Sequence, residues 1–150
     1  MGVLFEFDAE LGRLKWYGNG PEENYVDRKL GARLDVYEAE VSTQLTQYLR
    51  PQEAGNHTGV RWAQVTDSQG RGVRFSHSSE MEFSALPWTP FEIENANHHT
   101  ELPPIHKTVI RPALMRRGVA GDDTWGAQTH PEYRLPTGTD LSFTFTFKGV

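Results

Sequence analysis

The sequence predicts an all-β fold, an antiparallel β-sandwich with one short helix, spanning residues 1–150 as a single unit. Three observations carry this. Apolar and polar residues alternate with period two in several short runs, Gly, Pro and Asn punctuate the runs, and only one stretch has the chemistry of a helix start. A hydrophobic content of 37% in 150 residues suffices for one core.

The elements follow in chain order. Val3, Phe5 and Phe7 against Glu6 and Asp8 give an opening strand. Further strands are expected at 34–40, 60–66, 73–76, 81–85 and 108–114, with Asp67-Ser68-Gln69-Gly70 as a hairpin loop. Pro112 has no N–H to give a ladder, so its strand should lie at an edge or be bulged there. In Thr89-Pro90-Phe91-Glu92, threonine caps, proline takes the first helical position and glutamate completes a capping box, for a helix ending near 95 or 96. At the end of the sequence Leu141, Phe143, Phe145 and Phe147 point one way and Ser142, Thr144 and Thr146 the other. The intervals 16–29, 50–58 and 118–136 read as long Gly- and Pro-rich loops, which in compact domains carry function or an interface.

Composition excludes several functions. A formal charge of −5 argues against a nucleic-acid partner, and no run approaches the roughly 18 apolar residues of a membrane span, so neither nucleic acid nor membrane is expected. No cysteine is present, which removes disulfides, thiolate catalysis and cysteine-ligated zinc. Adjacent His98 and His99, with His106, diverge at a helix exit and read as a solvated stretch rather than a metal site. Asp122 and Asp123 sit side by side in a Gly-rich turn, where such residues bond their own backbone; they read as loop-shaping, not as the carboxyl pair of a glycosidase. No catalytic residue, metal site or cofactor is assigned to this chain.

Trp125 is the main candidate for binding. An indole offers a flat, electron-rich apolar face on which the C–H bonds of a pyranose can lie. The small neighbours Gly121 and Gly126 let the ring stand clear of its loop. The rival reading is a tryptophan that anchors its loop in the core.

A resemblance sharpens these readings. Residues 16–29, Trp-Tyr-Gly-Asn-Gly-Pro-Glu-Glu-Asn-Tyr-Val-Asp-Arg-Lys, resemble the WYGxGPxENYxDRK signature of the small-chain domain (the fifth) of family 2 β-galactosidases. Arg50-Pro51-Gln52-Glu53-Ala54-Gly55-Asn56 with Val60-Arg61-Trp62 is similar to its RPQENGN…VRW stretch. Gly118-Val119-Ala120-Gly121-Asp122-Asp123-Thr124-Trp125-Gly126, then His130-Pro131-Glu132-Tyr133, resembles GVGGDDSWG…HPEY. The matches run in order over nearly the whole chain. Departures are Ala54 for asparagine, Ala120 for a glycine, which requires that position not to need positive φ, and 110–117, which lacks the usual Ile/Leu-Asp pattern.

The resemblance implies a galactose-mutarotase-like supersandwich, of which this chain is the carboxy-terminal half. It implies retaining hydrolysis of terminal, lactose-type β-D-galactosides, with the catalytic glutamates and magnesium (sodium a further candidate) in a barrel domain outside this chain. Trp125 would be a platform for the aglycone, carried by a loop of Gly121, Asp122, Asp123 and Gly126. Trp16, Gly20, Pro21, Asn24, Tyr25, Asp27 and Arg28 would be scaffold. Expected partners are the β-galactoside, the remaining domains of the enzyme, and a second copy meeting an uncovered sheet face. The expected compartment is the cytoplasm, with the periplasm as alternative. Two other functions stay open: a stand-alone carbohydrate-binding module using the same tryptophan, and a mutarotase-like sugar epimerase.

Overall fold

A computed structural model describes residues 1–123 and 126–150. Among these, seven strands run β1 (Phe5–Asp8), β2 (Arg13–Gly20), β3 (Arg33–Glu40), β4 (His57–Thr66), β5 (Gly72–Leu86), β6 (Lys107–Ala113) and β7 (Thr146–Gly149). They form one antiparallel sheet in the order β1-β6-β5-β4-β2-β3, with β7 paired to the first part of β5. The one α-helix among the described residues, α1 (Pro90–Asn95), follows β5. The all-β class with one short helix is therefore observed.

The sheet curls over itself. The row through Phe5 continues to Ile110 and Ala85, yet the Phe5 ring lies 5.3 Å from Phe75, ten residues back along β5. The register between β4 and β5 slips at 57–62, opposite the exposed stretch around 78–80, and this irregularity re-aims the two halves of β5. The enclosed core joins Leu14, Trp16, Val65, Phe75, Phe83 and Ile110, with Phe5, Phe143 and Phe145 packed against it. A smaller cluster of Leu45, Ala54, Leu86 and Ile93 lies beside α1. Ala54 is fully buried there, so its methyl fills an apolar site.

Local chemistry explains the elements that matched. Thr89 accepts from the Glu92 amide while Glu92 accepts from the Thr89 amide, a complete capping box. In the β4–β5 hairpin, Asp67 Oδ1 accepts from the amides of Gln69 and Arg71, and Gly70 takes φ +81.

Four expectations change. First, 16–29 is not all loop: β2 runs to Gly20, and its inward positions 18 and 20 are glycines, which hide the period from a count of apolar residues. Second, the runs at 73–76 and 81–85 are the two ends of one 15-residue strand. Third, β6 is interior rather than edge. Pro112 faces Val3, whose amide donates to the Pro112 carbonyl, and no return bond can form where the ladder with β1 has stopped. Fourth, only Thr146 and Phe147 of the final alternating run join the ladder, because β7 pairs with just residues 73–76 of β5. Phe143 and Phe145 still turn inward.

Candidate functional site

The first motif builds a rigid corner after β2. The Gly20–Pro21 peptide is cis. Asn24 then uses its whole side chain: Nδ2 donates to the carbonyls of Asn19 and Glu22, and Oδ1 accepts from the Thr58 amide and hydroxyl. Trp16 is buried, donates Nε1–H to the Asn19 carbonyl, and lies 4.2 Å from the His57 ring. Burial pushes His57 down to about 4, against a smaller opposing pull of the Asn19 backbone carbonyl on the charged ring, so the imidazole is neutral at pH 7.

Glu23 is the hinge pin of this corner. Burial alone would raise its carboxyl, but the Gly55 amide (2.7 Å), the Tyr48 hydroxyl (2.8 Å) and the Arg28 guanidinium outweigh it and hold the group ionised below its usual range. Arg28 also lies over the Tyr25 ring at 5.6 Å, and Tyr25 is buried. A second network lies behind. Glu53 bridges Arg111 and Arg116, and Glu82, raised by burial, accepts from Asn56 Nδ2 and the Arg116 amide. The outer side of the corner is a cleft of about 460 Å³ lined by Pro21, Glu22, Asp27, Arg28, Lys29 and Leu30, among others.

Asp27 joins the cleft wall to the Gly-rich loop some ninety residues later. Its Oδ1 accepts from the Val119 amide (3.2 Å) and its Oδ2 from the Ala120 amide (2.8 Å). A Cβ at Gly118 would collide with this carboxylate, so the approach requires glycine. The Gly118 amide donates to the Tyr133 carbonyl, and the buried Thr129 donates its hydroxyl to the Gly118 carbonyl. Arg134 Nε donates to the Thr129 carbonyl. Two non-strand segments, 118–120 and 129–134, are thus closed on each other as a stem.

Further out, Asp122 meets His130 Nε2 at 2.7 Å, raising the imidazole pKa, and Asp123 Oδ1 accepts from the Ala127 amide. A Cβ at Gly121 would strike the Ala127 carbonyl, which marks a narrow neck. Gly121, Asp122, Asp123 and Gly126 are all exposed, and Gly126 takes φ +122. Ala120 does not have positive φ, so its methyl is accommodated where the resembled pattern has glycine. Trp125, the principal binding candidate, lies outside the described residues, as does Thr124.

Sequence reasoning named Asp27, Asp122 and Asp123 but not their partners. Thr129 and His130 carry no spacing signal of their own, because each meets its partner only through the fold, whereas the scaffold residue Arg28 does bridge a carboxylate of its own motif, that of Glu23. Among the described residues no three of His, Asp and Glu converge as a metal site. His98 faces Glu101 and His106 faces Glu92, two separate carboxylates.

Residues 1–147 match the family model described as β-galactosidase small chain. The chain belongs to the β-galactosidase small-chain family. Over 148 residues it is 46% identical to a β-galactosidase of Priestia megaterium, covering 99% of this chain and 14% of that one. It is 45% identical to a β-galactosidase of Halalkalibacterium halodurans, with 99% and 15% covered. A β-galactosidase small subunit of Latilactobacillus sakei is 34% identical, with 96% of this chain and 48% of the subunit aligned. The small-chain segment described here thus spans about one seventh of the first two relatives and about half of the third.

Proposed function

We propose that this chain is the carboxy-terminal half of the small-chain domain of a family 2 β-galactosidase, and that it supplies an aromatic platform for the aglycone of a β-D-galactoside while the catalytic glutamates lie in other domains. The observation that carries this reading is the stem: a loop closed at 118–120 and 129–134 by hydrogen bonds, whose described outer residues Gly121, Asp122, Asp123 and Gly126 are all exposed. A loop held at its base, with exposed described residues farther out, suits the presentation of one side chain to a ligand. Membership of the family, and coverage of only a fraction of each relative, support a role completed by further domains.

In this reading the reaction is hydrolysis with retention, which needs two carboxyl groups about 5–5.5 Å apart across the scissile bond. Asp122 and Asp123 serve as internal acceptors in the loop instead. Magnesium chemistry likewise belongs to the barrel domain. The isolated chain hydrolyses no nitrophenyl galactoside; turnover by pure chain would overturn the assignment.

The platform is tested by Trp125→Ala in the complete enzyme. Loss of one stacked ring, worth about 0.5–1.5 kcal/mol beyond area burial, raises KM for lactose several-fold and lowers transfer to sugar acceptors, with little change in inhibition by free galactose. Equal losses for lactose and galactose would remove the platform.

A further inference from the structure

We infer that Asp27 is a positioning residue for aglycone binding: it ties the first motif to the Gly-rich loop and thereby fixes the base of that loop, 118–120 against 129–134. The inference rests on the platform reading above, but its support is separate. Both carboxylate oxygens of Asp27 are spent on successive amides, Val119 and Ala120, ninety-odd residues away in sequence. A carboxylate accepting two backbone N–H groups forms charge-assisted bonds, stronger and more directional than neutral ones. Gly118 leaves room for it, and a side chain there would push the loop off.

Asp27 is itself held. It stands two residues after Tyr25, which is buried, and beside Arg28, which is clamped to Glu23. The Tyr25 and Arg28 backbones exchange hydrogen bonds of 3.1 and 2.8 Å across the intervening turn that carries Asp27. The carboxylate therefore projects from a closed four-residue turn braced on the core, and the loop takes its position from that turn. This gives the motif pair a physical link: the Asp27 carboxylate of the first stretch receives the Val119 and Ala120 amides of the last. The His130–Asp122 contact lies farther out, at an exposed edge, and adjusts the neck rather than the base.

The test uses the complete β-galactosidase that carries this segment, with Asp27→Ala, Asp27→Asn, Trp125→Ala and the double variant Asp27→Ala/Trp125→Ala. In Asp27→Ala, hydrogen exchange quickens across 118–130 while β2 and β4 keep their protection. KM for lactose rises several-fold but no more than in Trp125→Ala, kcat stays within about twofold, and inhibition by free galactose is unchanged. Asparagine keeps one acceptor oxygen and recovers part of the affinity. The double variant is no weaker than the worse single one, because both act on the same contact. Unchanged exchange at Val119 and Ala120, a loss concentrated in kcat, or additive effects in the double variant would each overturn the inference. If Trp125→Ala is silent while Asp27→Ala still quickens exchange and raises KM, the platform reading fails and the positioning role stands.

Discussion

His57 shows how one side chain sets a pH limit on the fold. It is 1% exposed, stacked near Trp16, with Nε2 on Gln44 Oε1 at 2.9 Å. Its folded pKa of about 4 lies below the ordinary histidine value, so between them the unfolded chain binds the extra proton. Its contribution is whole above about pH 6.5 and declines as pH falls toward 4, by up to about 3 kcal/mol at the bottom of that window. Chemical denaturation across this range should give a slope that His57→Gln flattens; an equal slope in the variant would assign it to other groups. His130 runs the other way. Asp122 first, and Glu132 at 3.7 Å, favour its charged form, so the contact is complete at acidic pH and fades as pH rises past the raised pKa. Titration by NMR should place His130 above the ordinary histidine value and lower it toward that value in Asp122→Asn, with Glu132 holding the remainder.

Elements whose stability is local were the most legible. The capping box of α1 needs only four neighbouring residues, and Thr89→Ala should cost about 1 kcal/mol, read as a fall in Tm of roughly 2–4 °C. No change would show that packing of Ile93 alone sets the helix. The Asp67 turn was likewise readable, because its acceptor and its amides lie within five residues. β2 as a whole is hidden from a sequence reading because Gly18 and Gly20 occupy inward positions whose space is filled by Val60 and Tyr37 of neighbouring strands and by Trp16 of β2 itself. A period count sees side chains and cannot see the space that other strands occupy. The split reading of β5 failed for a related reason: its central residues pair irregularly, and only the long partner β4 shows that the strand continues. In the candidate site, Asp27, Asp122 and Asp123 were visible as residue types in motifs. Which amide or ring each one meets depends on a contact across about ninety residues for Asp27, and no local pattern encodes that.

At the scale of the whole molecule, one face of the sheet is more apolar than water favours. Leu34 and Val36 on the edge strand β3 are each 46% exposed, and Tyr17 and Trp62 continue their row inward, with the Arg74 guanidinium 4.2 Å from the Trp62 ring. An edge of this kind is open to pairing with another strand or sheet. The isolated chain should therefore self-associate at micromolar concentration, and Leu34→Lys with Val36→Lys should return it to monomer in sedimentation velocity. A sharp monomeric boundary for the unaltered chain, with no binding of a hydrophobic dye, would count against this. The topology also carries a cost in time. Phe5 pairs with Ile110, and Asp8 with Lys107. A ribosome adding about 5–20 residues per second makes the first strand wait roughly 5–20 s before its neighbour is even synthesised. During that interval Phe5 and Phe7 lack the β6 neighbour they have in the finished sheet, which makes this short stretch a place for a chaperone to hold on.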